Sequence, residues 1–170
     1  MEHSKIPVTA SSEYPAIRVT EPNRRYASLL LQDSASAHGE MTAIYQYLYQ
    51  HWMLNGADDS LAILLKRIAA VEMHHLDILG KLILLLGGNP ICRTNPCNCG
   101  SAWNGNMLQY TSGRKQILTL NISLELSAVN DYTAQAEAVK DPLLTAILLR
   151  LAEDERVHYN IFRSLLIESA

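Results

Sequence analysis

Two residue pairs carry the clearest chemical signal in the chain, Glu72 with His75 and Glu155 with His158. Each pair is three residues apart inside an apolar run at helical spacing. The first run is Leu61, Leu65, Ile68, Glu72, His75, Leu79, Leu82, Leu86; the second is Leu144, Leu148, Leu151, Glu155, His158, Phe162, Leu165. Steps of three and four place all members of a run on one helix face, so each Glu and His points where the leucines point. A carboxylate in an apolar interior needs a partner or a bound cation, because its hydration is lost there and nothing apolar replaces it.

Two further helices each add one Glu. The third helix, about Arg114 to Val139, has the stripe Leu118, Ile122, Glu125, Val129, Tyr132, Ala136, Val139. The first reads as one long helix from Tyr26 to about Asn55. Counting from Glu40 at ~100° per residue puts Leu29, Asp33, Ser36, Ala37, Ala43, Ile44, Tyr47 and His51 on its side. That face is small and semi-polar, with room for something other than leucine. The halves then repeat with a period of about 85 residues. Glu40 is followed by Tyr47 and by Glu72-x-x-His75, and Glu125 is followed by Tyr132 and by Glu155-x-x-His158.

Four carboxylates and two imidazoles at one level suit two divalent ions, whose charges cancel those of the carboxylates. Bridging carboxylates with one His per ion fit iron or manganese without deciding between them. The set leaves coordination positions open, which redox chemistry on dioxygen or hydrogen peroxide requires. A bundle held by buried salt bridges fails instead on charge, since none of the four stripes offers a Lys or Arg. Tyr47 and Tyr132 lie two turns from Glu40 and Glu125. They read as core tyrosines hydrogen-bonded near a ligand, with a proton or electron relay as the alternative. His74 faces away from His75, and His51 is ~16 Å along the helix from Glu40. Asp33 either supports the site from the Glu40 face or is solvated.

The positioning elements follow from the breaks. Asn55-Gly56 ends the first helix, Asp58-Asp59-Ser60 offers caps for the second, and Gly87-Gly88-Asn89-Pro90 stops it. Roughly 24 residues of loop chemistry precede the third helix, and a connection of that reach can join parallel neighbours of ~40 Å. The other connections, near Asn55 and at Lys140-Asp141-Pro142, are short. The implied fold is an all-α four-helix bundle of residues 26–170, two antiparallel hairpins joined by a long crossover between helices 2 and 3. Pro7, Pro15 and Pro22 mark residues 1–25 as an extended arm, lying on a neighbouring surface or partly disordered.

The chain has 170 residues, 48% hydrophobic, with a net charge of -3, enough for one domain with a sizeable core. Scattered Lys and Arg, one Phe and two Trp argue against a nucleic-acid partner. No apolar run approaches the roughly 20 residues of a membrane span, and no signal-peptide core opens the chain. A cytoplasmic protein is expected. Cys92, Cys97 and Cys99 lack a zinc-ligand spacing and are expected to be reduced thiols.

From Tyr26 onward the chain resembles the ferritin-like di-iron and di-manganese carboxylate superfamily. That pattern is one Glu from each of two helices and Glu-x-x-His from each of the other two. The segments Tyr26-Ala27-Ser28-Leu29-Leu30, Val71-Glu72-Met73-His74-His75-Leu76 and Asp154-Glu155-Arg156-Val157-His158-Tyr159 are similar to small bacterial relatives of bacterioferritin, rubrerythrin and manganese catalase. The resemblance implies a ferritin-like bundle with Glu40, Glu72, His75, Glu125, Glu155 and His158 as metal ligands and Glu72 and Glu155 bridging. In manganese catalases the last Glu can instead serve as acid or base beside the metals, so a catalytic role for Glu155 stays open. Rubrerythrins carry an extra carboxylate where this chain has Ala128, and a Cys-x-x-Cys iron site absent here, which disfavours a peroxidase with its own donor. Met73 occupies the place of the haem-ligating Met of bacterioferritin but lies ~100° off the metal face, so haem is not expected.

The implied protein is a two-iron or two-manganese oxidoreductase. It would reduce peroxide or dioxygen with an external electron donor, or disproportionate peroxide as a manganese catalase. The alternative is iron binding or storage of bacterioferritin type. A homo-oligomer is expected, with a dimer favoured over a cage.

Overall fold

A computed structural model describes residues 6–94 and 102–169. Among them the regular elements are α1 (Arg24–Ala35), α2 (Glu40–Leu54), α3 (Asp59–Leu85), α4 (Arg114–Ala138) and α5 (Pro142–Glu168), with one 3-10 turn at Gly105–Met107. The all-α bundle expected from periodicity is present, with α2 packed on α3 and α4 on α5 as hairpins. The helix starts are chemically specified. Asn23 accepts from the amides of Arg25 and Tyr26, Asp58 from that of Leu61, and Asp141 from those of Leu143 and Leu144 ahead of Pro142. Gly87, at φ 79°, turns the chain out of α3 in a conformation a side chain would resist.

The expected first helix is two. The chain leaves α1 at Ser36 and re-enters at Glu40, because the stretch is closed by a contact only glycine allows. A Cβ on Gly39 would stand 2.4 Å from the Asp33 carbonyl oxygen. The Thr42 hydroxyl donates to the Ser36 carbonyl at 2.7 Å across the break. Counting back from Glu40 therefore assigned the wrong face. Ala27, Leu30, Leu31, Ser34 and Ala35 are buried in α1, while Leu29, Asp33 and Ser36 are partly exposed and Ala37 is exposed. Downstream the phase holds for Tyr47, but Thr42, Gln46 and Gln50 are buried where Ala43 and Ile44 were expected. In α4, Ile122 is only partly buried and Asn121 takes the interior place, exchanging side-chain amide bonds with Gln50 at 2.8 and 2.9 Å.

The two stripes on α3 and α5 are buried along their whole length. The core they build is divided. One cluster joins Leu30, Leu31, Leu79, Leu82, Leu144, Leu148 and Leu151; the other joins Leu61, Leu65, Ile68, Leu118, Phe162 and Leu165. Each such side chain contributes ~1.5–3 kcal/mol by leaving water. Between the clusters the stripes switch to Glu and His, so two packed layers clamp one polar layer.

Residues 6–23 run as an arm over this same chain. Arg150 donates to the carbonyl of Ser12 at 2.9 Å, and its guanidinium lies 4.0 Å over the Tyr14 ring. Thr20 donates its amide to Asp141 at 2.7 Å. Cys92 is exposed, and Cys97 and Cys99 lie outside the described residues.

Candidate metal centre

The polar layer gathers all six expected ligands, every one of them buried. Two sets form, Glu40, Glu72, His75, Glu155 and Glu72, Glu125, Glu155, His158, in each of which the donor atoms lie within 4.8 Å of one another. Both histidines turn Nδ1 inward. His75 Nδ1 lies 2.9 Å from Glu72 Oε2, 3.0 Å from Glu155 Oε1 and 3.6 Å from Glu40 Oε1. His158 Nδ1 lies 3.1 Å from Glu72 Oε1, 3.3 Å from Glu155 Oε2 and 3.7 Å from Glu125 Oε2. The pseudo-repeat of the sequence is thus a two-fold arrangement in space.

The tyrosines cross between halves. Tyr132, on the helix of Glu125, donates to Glu40, and Tyr47, on the helix of Glu40, donates to Glu125. Burial first, and then the neighbouring carboxylates, hold both phenols well above their ordinary pKa, so they remain donors.

The electrostatics fit a pair of cations. Glu40 is pushed up to about 8, by burial first; His75 pulls it down, while Glu155 and Glu72 push it up. Glu125 is likewise raised, chiefly by burial. Burial would depress the two imidazoles, but the surrounding carboxylates outweigh it and hold both well above the usual histidine value. Burial would raise Glu155, yet His75 and His158 hold it below the carboxylate range. Without cations, then, this layer collects protons. Glu72 Oε1 and Oε2, His75 Nδ1 and Glu155 Oε1 are enclosed and face only the other donor atoms of this layer, with no hydrogen-bond partner outside it. Lone pairs that converge from α3 and α5, with the Glu40 and Glu125 carboxylates beside them from α2 and α4, are what a metal pair would satisfy, and the residues present fit one.

Two outer contacts were not found by periodicity. His75 Nε2 lies 3.1 Å from Asp154 Oδ2, and His158 Nε2 lies 2.8 Å from the Val8 carbonyl. Each fixes the tautomer that leaves Nδ1 free toward the centre. Asp154 is itself held by the Ala10 amide at 2.7 Å, by Arg150 Nη1 at 2.7 Å and by the Tyr14 hydroxyl. Arg150 is therefore a buried cation, but it faces the arm and not the four glutamates. The only hint in the sequence was that Asp154 adjoins Glu155.

A cavity of about 260 Å³ leads from exposed His38 and Asp131 to Glu40, Glu72, Glu125 and Glu155, with Tyr47 and Tyr132 on its wall. Asp33 belongs to this wall. His74 is exposed and packs edge-on against Tyr14, and His51 bonds the Ala62 carbonyl, both away from the centre. Met73 is 56% exposed on the outer surface of α3.

Comparison with known proteins agrees with this geometry. The family described as manganese containing catalase matches residues 13–97, and the rubrerythrin family matches residues 116–169. A "Probable manganese catalase" of Clostridium acetobutylicum is 25% identical, over 88% of this chain and 74% of the relative. The crystal structure of a manganese catalase from Anabaena PCC7120 superposes with a TM-score of 0.82 at 24% identity, covering 95% of this chain and 80% of that one. Rhodobacter capsulatus bacterioferritin superposes with a TM-score of 0.72 at 20% identity, covering 88% of each. The expected cofactor, a pair of manganese or iron ions, and the expected class of redox chemistry on peroxide or dioxygen both hold. From the stripes, the two ligand sets and these matches together, the chain belongs to the manganese-containing catalase family within the ferritin-like dimetal carboxylate superfamily.

Proposed function

We propose that this chain is a dimanganese catalase that disproportionates hydrogen peroxide, with Glu40, Glu72, His75, Glu125, Glu155 and His158 as the metal ligands. The observation that carries the reading is the pair of buried ligand sets sharing Glu72 and Glu155. Each shared carboxylate turns one oxygen toward His75 and the other toward His158, which supports bridging roles for both. Glu155 is on this reading a bridge and not a free acid or base. Glu40 and Glu125 are terminal ligands, each steadied by the tyrosine of the opposite half. The names of the relatives favour manganese over iron, and catalase action over iron storage.

The reaction balances as two half-reactions. One peroxide loses two electrons and two protons and leaves as dioxygen; the other takes them, its O–O bond breaks, and it leaves as two waters. A bound manganese pair supplies the store for two electrons between the halves, so no external donor enters. The protein's part is positional. Tyr47 and Tyr132 line the cavity and hold protons at Glu125 Oε1 and Glu40 Oε1, where a proton can pass between cavity and carboxylate. The packed leucine layers on either side keep other water away.

We further propose a cytoplasmic homo-oligomer, a dimer in the first instance. No helix among the described residues is long and apolar enough to cross a membrane. The free thiol of Cys92 suits a reducing compartment, and exposed Tyr45, Trp52, Met53 and Ile63 offer apolar surface to a second copy.

The test is to load the chain with manganese, then follow peroxide loss and dioxygen release with and without a reductant. One dioxygen per two peroxides, independent of reductant, is expected. Glu72→Gln should abolish both the stoichiometric metal and the activity. A wild-type protein with two ions that releases no dioxygen, or a Glu72→Gln protein that keeps two ions, would overturn the reading.

A further inference from the structure

The close-packed helix pairs are α2 with α3 and α4 with α5, which leaves the seam between α2 and α4 to its side chains. Their cross-bonds fix an antiparallel register. Gln50 pairs with Asn121, Tyr47 with Glu125 and Tyr132 with Glu40, so every turn forward on α2 is matched by a turn back on α4. One rung of this ladder has nothing to bond. Ala43, between Glu40 and Tyr47, and Ala128, between Glu125 and Tyr132, are the residues that the same register sets opposite each other. They are equivalent in the two halves, each one turn past its glutamate. Both are partly exposed and both line the cavity, so the opening in the seam stands where two methyl groups take the place of a bonded pair.

Size and lining decide what can pass there. The cavity measures about 260 Å³, whereas one water needs only ~10–15 Å³, and pockets for organic molecules begin near ~300 Å³. Hydrogen peroxide alone does not call for that room. The inner end, at Glu40, Glu72, Glu125 and Glu155, is the place of the ions. Outside it stand Ala37, Ala43, Leu124 and Ala128, and no Lys or Arg lines the wall. A short alkyl group is favoured against those carbons, while an anion finds no cation to hold it.

We propose that the Ala43–Ala128 rung is a size-setting aperture through which small, neutral alkyl hydroperoxides enter and are reduced alongside hydrogen peroxide. The proposal rests on the catalase reading for its chemistry and adds a second class of substrate. The O–O bond of the alkyl hydroperoxide breaks as it takes two electrons and two protons from one hydrogen peroxide. The alkyl hydroperoxide leaves as its alcohol and one water, and the hydrogen peroxide leaves as dioxygen. No other donor is consumed.

The manganese-loaded chain, given tert-butyl hydroperoxide together with hydrogen peroxide, should form one tert-butanol for each alkyl hydroperoxide lost. Ala43→Leu and Ala128→Leu should each lower the ratio of kcat/KM for tert-butyl hydroperoxide to that for hydrogen peroxide by about tenfold or more, with both ions retained. A wild type that disproportionates hydrogen peroxide but forms no tert-butanol overturns the aperture, and so does a ratio unchanged in both variants. A second measurement depends neither on turnover nor on either variant folding. Crystals of the full manganese-loaded wild type soaked in tert-butanol, the unreactive product, should show the tert-butyl group against the methyls of Ala43 and Ala128. A tert-butyl group found only elsewhere, or not at all, refutes the proposal. If the loaded wild type releases no dioxygen from hydrogen peroxide, the catalase reading fails by itself, and the soak still decides the aperture.

Discussion

Replacing Asp154 by Ala should weaken one metal ion and leave the other. The side chain is fully buried between the arm, α3 and α5, with Oδ1 on the Ala10 amide and Arg150, and Oδ2 on Tyr14 and His75. Its removal leaves the Arg150 guanidinium, 4% exposed, without its counter-charge, which costs about 3–5 kcal/mol. For a chain of this size that corresponds to a fall in Tm of roughly 6–20 °C. Separately, the outward N–H of His75 loses the carboxylate that orients the ring, worth ~10–100-fold in metal affinity. His158 keeps the Val8 carbonyl at 2.8 Å, so its ion should bind as before. Calorimetric titration of the metal-free protein with Mn²⁺ should therefore change from two tight sites to one tight and one weak. The paired change Arg150→Met with Asp154→Leu removes both charges and should recover most of the Tm, yet the asymmetry must persist. Two equal, wild-type sites in that double variant would refute an orienting role for Asp154.

Two further predictions follow from the break and the arm. Gly39→Ala drives a Cβ to 2.4 Å from the Asp33 carbonyl, a backbone collision that no rotamer relieves. A loss of about 1–3 kcal/mol is expected, with reduced occupancy of the Glu40 ion because Glu40 is the next residue; thermal melting and metal analysis check both. Acid should release the arm before the bundle. Burial would raise Asp141, but bonds from Thr20, Leu144 and Leu143 hold it below its ordinary value. Burial would likewise raise Asp154, but His75, Tyr14, Ala10 and Arg150 bring it to about 2. Both folded values lie below the unfolded one, so the stabilisation is complete above pH ~4 and lost as pH falls toward ~2. Amide exchange, corrected for its intrinsic pH dependence, should show residues 6–23 losing protection ahead of α3. Simultaneous loss would contradict this order.

Much of the molecule was legible from the chain alone. Large aliphatic residues at three- and four-residue steps marked α3, α4 and α5, and the only charged or imidazole groups within those stripes were the ones that meet at the centre. Burial periodicity is local, so sequence spacing carries it. The break at residues 36–39 was not legible, since Ser-Ala-His-Gly has no proline and one glycine, and the contact that demands Gly39 comes from the carbonyl of Asp33. Once the helix breaks, the phase counted through it is lost, which is why Leu30 and Leu31 took the interior place expected for Leu29 and Asp33.

Tertiary structure alone decided the pairings. Tyr132 meets Glu40, Tyr47 meets Glu125, Asp154 meets His75 and Gln135 meets Asp33 across separations of 78 to 102 residues. Each depends on the axial height and rotation of one helix against another. Those two variables are set by how the leucine layers interlock, and no single helix's sequence contains them.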